Sequence, residues 1–182
     1  MIVGDYLKAS VLLVALAAAT GVVASISLGK IDRIRAENSA EPVEFVSMKD
    51  RERQLKCMTE NIYYEAGQEP VEGKIAVAQV VMNRTESNRF PSDPCRVIYQ
   101  KNVFYEKVVC QFSWYCDKSV KRRPVNQARW NESEEVAKSV LLEGMRLPSL
   151  EKAMYYHATY VNPGWKNPRI TKIGQHVFYR EI

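Results

Sequence analysis

The stretch NIYYEAGQEPVEGKIAVAQVVMNR, residues 61–84, decides how this chain folds. Upstream of it, Leu55, Met58, Ile62 and Tyr63 recur at helical spacing, so DRERQLKCMTENIYYEA (50–66) reads as a helix. Gly67 and Pro70 stop that helix near Ala66. VEGKIAVAQVVMNRTES (71–87) is a second helix, apolar enough to sit at the centre of a core. Between the two lie Glu65 and Glu69, four residues apart. A glutamate in the last turn of a helix, beside Tyr63 and Tyr64, is partly desolvated, which raises its pKa and lets it hold a proton near neutral pH. Spacing alone favours the plainer reading of two solvated surface charges.

Further along, RFPSDPC (89–95) reads as a loop and CRVIYQ (95–100) as the start of a short strand or helix. NQARWNESEEVAKSVLLEGM (126–145) is a third helix, with Ala128, Val136, Val140 and Leu141 directed inward. KAMYYHATYVNPGW (152–165) and GQHVFYREI (174–182) are rich in aromatic and β-branched residues and read as two strands around a Pro/Gly turn. Helices first and a small sheet late make an α+β class.

Two segments pair rings with hydrogen-bonding groups: QFSWYCD (Gln111–Asp117) and YYHATYVNPGW (Tyr155–Trp165). Such a combination suits a sugar groove, because pyranose faces are apolar and their edges polar. It is also the pattern of a half-buried strand with one wet face. His157 reads as a structural hydrogen bonder before it reads as a base.

Composition narrows the function. The chain has 182 residues, 46% apolar and 26% charged, enough for one ordinary domain and a short appendage. A net charge of +5 favours an anionic partner: nucleic acid, a membrane surface or an envelope polymer. The cations are scattered, and the densest run is KSVKRR (118–123), which disfavours nucleic acid. Cys57, Cys95, Cys110 and Cys116 form no CxxC pairs, the only histidines are His157 and His176, and no HExxH occurs, so zinc has little support. Two disulfides in an oxidising compartment, with three possible connectivities, are the preferred reading over four buried cytosolic thiols.

At the amino terminus, ASVLLVALAAATGVVASISL (9–28) runs twenty residues without a charge. As a helix it spans about 30 Å, the thickness of a bilayer core. It reads first as a transmembrane anchor, then as a cleaved signal peptide using the small residues around Ala15–Ala19, and last as a buried soluble helix. Lys30, Arg33 and Arg35 outnumber Lys8, which by the positive-inside rule leaves the rest of the chain in the cytoplasm. The cysteines argue for export, and export is preferred. AENSAEPVE (36–44) has linker composition. The expected domains are 1–29, anchor or signal; 30–47, linker; and 48–182, a folded domain.

NIYYEAGQEPVEGKIAVAQVVMNR, FPSDPCRVIYQ, CQFSWYCD, YYHATYVNP and IGQHVFYR, taken in order from about Cys57 to Arg180, resemble the SleB-type cell-wall hydrolases, spore-cortex and envelope enzymes also encoded by phages. The resemblance implies a lysozyme-like fold akin to resuscitation-promoting factors. It also implies cleavage of the β-1,4 bond between N-acetylmuramic acid and N-acetylglucosamine, as a lytic transglycosylase before a hydrolytic muramidase, with no metal or organic cofactor. The family's catalytic glutamate, the first in its YxEARGE signature, falls on Glu65, and the second falls on Glu69 in a supporting role. Tyr64, Gln111, Phe112, Ser113, Trp114, Asp117, Tyr156 and His157 are the accompanying supporting or substrate-binding candidates. One departure stands out: the signature's Arg-Gly is Gly67-Gln68 here.

The implied partners are peptidoglycan glycan strands and, through the first segment, a membrane. The expected location is the inner membrane with the catalytic domain on the periplasmic side, or secreted or released after export, as in some phage endolysins. A catalytically weak peptidoglycan-binding protein of the same fold is the first competitor, and a structural envelope protein the second. An amidase or peptidase is disfavoured, since disulfides consume the thiols that a Cys–His pair needs.

Overall fold

A computed structural model describes residues 47–182, apart from the Phe104 side chain. The apolar stretch 9–28 and the linker lie outside the described residues. Among the described residues no helix is long and apolar enough to cross a membrane.

Helix α1 (Met48–Ala66) starts where Ser47 Oγ accepts from the Asp50 backbone N–H at 3.1 Å, an N-cap that satisfies an otherwise orphaned donor. It buries Cys57, Met58, Ile62 and Ala66, a helical stripe that faces the core. It ends at Ala66 as expected, with the Gly67 N–H bonded to the Tyr63 carbonyl at 3.1 Å. Helix α2 (Val71–Thr85) follows after a four-residue corner, and its Ala76, Val77, Val80 and Val81 are fully buried. It is the central element, packed on α1 on one side and on the sheet on the other. At the corner Gly73 is needed for close approach, since a Cβ there would lie 2.9 Å from the Cβ of Glu69.

The segment CRVIYQ resolves to a short helix, α3 (Pro94–Ile98), capped by the Asp93 carboxylate and tied to α1 by the Cys57–Cys95 disulfide. A hairpin of β1 (Lys101–Phe104) and β2 (Lys107–Cys110) follows; it had no counterpart among the expected elements. Its turn residues, Tyr105 and Glu106, both have positive φ (47° and 65°), a conformation usually signalled by Asn-Gly or Asp-Gly. Without those residues the hairpin leaves no mark in the sequence. Cys110 bonds Cys116, at the end of α4 (Ser113–Cys116), and α5 (Lys118–Lys121) leads on. The two disulfides select one of the three connectivities.

Helix α6 (Gln127–Leu142) is the expected third helix, but its inward face differs. Ser133, Val136, Ala137 and Val140 are buried, whereas Ala128 is exposed and Leu141 half-buried. At about 100° per residue Ala128 lies on the far side of the helix from that buried stripe. The carboxy-terminal sheet has three strands instead of two, in the order β3 (Ala153–Ala158), β5 (His176–Arg180), β4 (Arg169–Ile173), all antiparallel. The missed strand, RITKI, lies at the sheet edge, and its charged residues obscure the alternation.

The sheet is stitched to α2 by polar side chains. Asn83 Nδ2 donates to the carbonyls of Leu150 (2.9 Å) and Ala153 (2.8 Å), and Arg84 Nε donates to that of Met154 (2.9 Å). These bonds complement an apolar layer of Ala76, Val80, Leu150, Ala153, Ile173 and Phe178. The class is α+β, as read from the sequence.

Candidate active site

The α1–α2 corner, the α5–α6 connection and the end of the sheet converge on a cleft of about 500 Å³. Tyr63, Tyr64, Glu65 and Glu69 line one side, Arg123, Asn126 and Arg129 another, and Tyr160, Gln175 and His176 the sheet end. The walls are held by contacts between elements. The Asn126 N–H donates to the Tyr63 hydroxyl at 2.9 Å, and the Tyr64 ring stacks on Trp114 with centroids 4.8 Å apart.

Glu65 occupies the last turn of α1, half-buried at the cleft. The Tyr156 hydroxyl, from β3, donates to Glu65 Oε2 at 3.1 Å. Burial raises the Glu65 pKa above the ordinary carboxylate range; the Tyr156 hydrogen bond and the positive charge of Arg84 pull it partly back. Burial prevails, because one hydroxyl and one guanidinium replace the full hydration of an ionised carboxylate. Arg84 itself is 3% exposed, with its guanidinium 5.3 Å from the Phe90 ring centre and 5.6 Å from that of Phe112. Its Nη1 has no partner among the described residues.

Glu69 has a different environment. Its Oε2 accepts from the Gln175 backbone N–H at 2.8 Å, and its carbonyl accepts from the buried Lys74 ammonium at 2.8 Å. Lys74 also pairs with Glu132 at 2.9 Å. Gly174 (φ +55°) brings the β4–β5 turn against the Glu69 carboxylate so closely that a Cβ there would collide with it. Glu69 thus pins the turn that carries Gln175 and His176 to the cleft. His176 is 6% exposed, its pKa lowered chiefly by burial, and its ring lies 5.1 Å from Tyr156.

The candidates named from the sequence divide into two groups. Tyr64, Glu65 and Glu69 line the cleft, and Tyr156 reaches it through Glu65. The QFSWYCD segment does not line it. Phe112 and Trp114 are 3% exposed and pack in the core, with Trp114 Nε1 bonded to Asn61 Oδ1 at 3.1 Å. Gln111 is half-buried and its N–H bonds to the Gln100 carbonyl, while Ser113 is exposed at the start of α4. Asp117 caps α5 through the Ser119 N–H at 2.8 Å. The aromatic density that suggested a groove there is core packing.

His157 lies on the sheet face away from Tyr156, stacked on Tyr179 and hydrogen-bonded to its hydroxyl at 2.9 Å. Its other ring nitrogen is 2.9 Å from the Ala158 carbonyl. This is the structural arrangement preferred from the sequence. Tyr63 stands beside Glu65 as read from the sequence, whereas Arg123, Arg129, Gln175 and His176 were not foreseen in the site. No local pattern marks them, because they come from segments far apart in the chain.

Similarity to known proteins agrees with this architecture. The Cell Wall Hydrolase family pattern matches residues 68–179, beginning just after Glu65 and including Glu69. The spore cortex-lytic enzyme of Oceanobacillus iheyensis is 28% identical over 128 residues, covering 68% of this chain and 40% of that protein. That of Bacillus subtilis is 30% identical over 129 residues, covering 68% and 36%. The chain thus spans roughly two fifths of the length of these curated relatives. Among solved structures, the catalytic domain of the Bacillus cereus SleB protein matches with a TM-score of 0.51 at 25% identity, over 71% of this chain and 91% of that one. The catalytic domain of the germination-specific lytic transglycosylase SleB from Bacillus anthracis matches at 0.52 and 25%, over 77% and 100%. With its own fold matching those catalytic domains and the family pattern running through most of the cleft-bearing region, the chain belongs to the Cell Wall Hydrolase family of enzymes.

Proposed function

We propose that this enzyme cleaves the β-1,4 bond between N-acetylmuramic acid and N-acetylglucosamine in peptidoglycan, as a lytic transglycosylase with Glu65 as its acid. The observation that carries the proposal is Glu65 itself: a carboxyl with a raised pKa, held by Tyr156 at an open cleft. Likeness to a structure described as a lytic transglycosylase supports it.

Protonated Glu65 gives its proton to the glycosidic oxygen as the bond to the muramic acid C1 breaks, leaving positive charge on that sugar. The ionised carboxylate stabilises the charge. The muramic acid 6-hydroxyl then attacks C1 and returns its proton to Glu65, which closes a 1,6-anhydro ring and restores the acid. Tyr156 orients the carboxyl throughout. A hydrolytic muramidase needs a second carboxylate to activate water or to form a covalent intermediate. Glu69 lines the same cleft but is engaged by the Gln175 N–H, and Asp117 lies outside it, so the one-carboxylate route is preferred. Export, with residues 9–28 as a membrane anchor or signal, would bring the enzyme to its polymer.

The test is digestion of purified peptidoglycan by the full chain and by its Glu65→Gln form, with products read by mass. Anhydro-muropeptides from the unaltered chain alone support the proposal. Reducing-end products mean a muramidase, and binding without products means a catalytically weak relative.

A further inference from the structure

The α1–α2 corner and the α5–α6 segment both line the cleft and differ in chemistry. On one, both carboxylates already have donors: Glu65 has the Tyr156 hydroxyl and Glu69 the Gln175 N–H. On the other, Arg123 and Arg129 are exposed. Among the described residues, neither guanidinium makes an ion pair with a carboxylate. They belong to a run, Lys118 to Arg129, that carries five cations and no acid. Within that run Lys121 is committed elsewhere, with its ammonium 4.5 Å from the Tyr115 ring centre and 5.2 Å from that of Trp114. Arg123 and Arg129 are the members that line the cleft.

A guanidinium presents a planar fork of donors that matches a carboxylate, and two of them beside a groove raise the local concentration of an anionic ligand. The N-acetylated sugars of a glycan strand are neutral wherever the muramic lactyl group is amide-linked to its peptide. The negative charge of such a strand lies on the free carboxylates of the peptide stems. Resting on the reading of this cleft as the glycan site, we infer that Arg123 and Arg129 form a subsite for those stem carboxylates. The enzyme then selects stem-bearing muramic acid by charge as well as by sugar shape.

The test measures binding, which requires no cleavage. The full chain carrying Glu65→Gln is titrated against intact peptidoglycan and against the same polymer with its carboxylates converted to neutral methylamides. At low salt the intact polymer is expected to bind about fivefold more tightly, the scale of two exposed ion pairs. Adding R123Q/R129Q is expected to remove that preference, and adding K118Q/R122Q, equal in charge but outside the cleft, to leave it. Equal binding of the two polymers overturns the inference, as does an equal loss from both double variants, which would reflect bulk charge. Digestion of both polymers by the unaltered chain reports separately on glycan cleavage. Failure there leaves the binding comparison to decide the subsite.

Discussion

The Tyr156 hydroxyl donates to Glu65 Oε2 at 3.1 Å, joining a strand of the late sheet to the last turn of the first described helix across 91 residues of sequence. A hydrogen bond to the ionised form favours it, so this contact holds the Glu65 pKa below what burial alone would impose. Removing it leaves the acid harder to ionise and less well aimed.

Tyr156→Phe is therefore expected to move the high-pH limb of the pH–rate profile upward. A general acid works while protonated, so activity falls as pH rises through its pKa, and a higher pKa postpones the fall. The maximal rate should drop roughly tenfold from lost orientation. An unmoved or downward-shifted limb in the profile on purified peptidoglycan refutes the role given to Tyr156.

Glu65→Gln should abolish cleavage and stabilise the fold at neutral pH. The folded pKa of Glu65 is raised, so its contribution to stability is fully present below the unfolded carboxylate pKa and is lost as pH rises through the folded value. Glutamine escapes that loss. The expected gain is on the order of 1 kcal/mol at pH 7, seen as a Tm a few degrees higher, and it should vanish near pH 3, where both side chains are neutral. Calorimetry at the two pH values checks this.

The two glutamates should separate cleanly on substitution. Glu69→Ala strips the Gln175 N–H of its charged acceptor and is expected to cost about 1–3 kcal/mol in stability. Glu69→Gln keeps an acceptor and most of the activity if Glu69 is a brace. Loss of turnover in Glu69→Gln without loss of Tm would instead place Glu69 in the chemistry, as a muramidase requires.

The disulfides should contribute unequally. Cys57 and Cys95 are 38 residues apart, and Cys110 and Cys116 only 6. Loop-closure entropy assigns about 4 kcal/mol to the first bridge and about 2 kcal/mol to the second. Replacing each pair by serine and following denaturant unfolding should give that order. Larger destabilisation from losing Cys110–Cys116 would contradict it.

What was legible in the chain and what was not follow from the range of the interactions involved. The two helices around Glu65 were readable because their apolar period, Gly67 and Pro70 are local signals. The β1–β2 hairpin was not, since Tyr105 and Glu106 adopt a turn that other residues normally announce. Rings in QFSWYCD looked like a groove because composition does not distinguish a buried Trp114 from an exposed one. Ala128 was expected to point inward, but at about 100° per residue it lies on the far side of the helix from Ser133, Val136, Ala137 and Val140.

The sequence by itself determined the α+β class, the helix that ends at Ala66 with Glu65 in its last turn, the even set of cysteines and the resemblance to a cell-wall hydrolase. Each is written in the spacing, type and order of residues along the chain. Tertiary structure alone decided that burial raises the Glu65 pKa against the pull of Tyr156 and Arg84, that Glu69 braces Gln175, and that Arg123 and Arg129 line the same cleft. Desolvation and hydrogen bonding depend on which distant groups exclude water from a carboxylate, and that is fixed only when the sheet packs against α2.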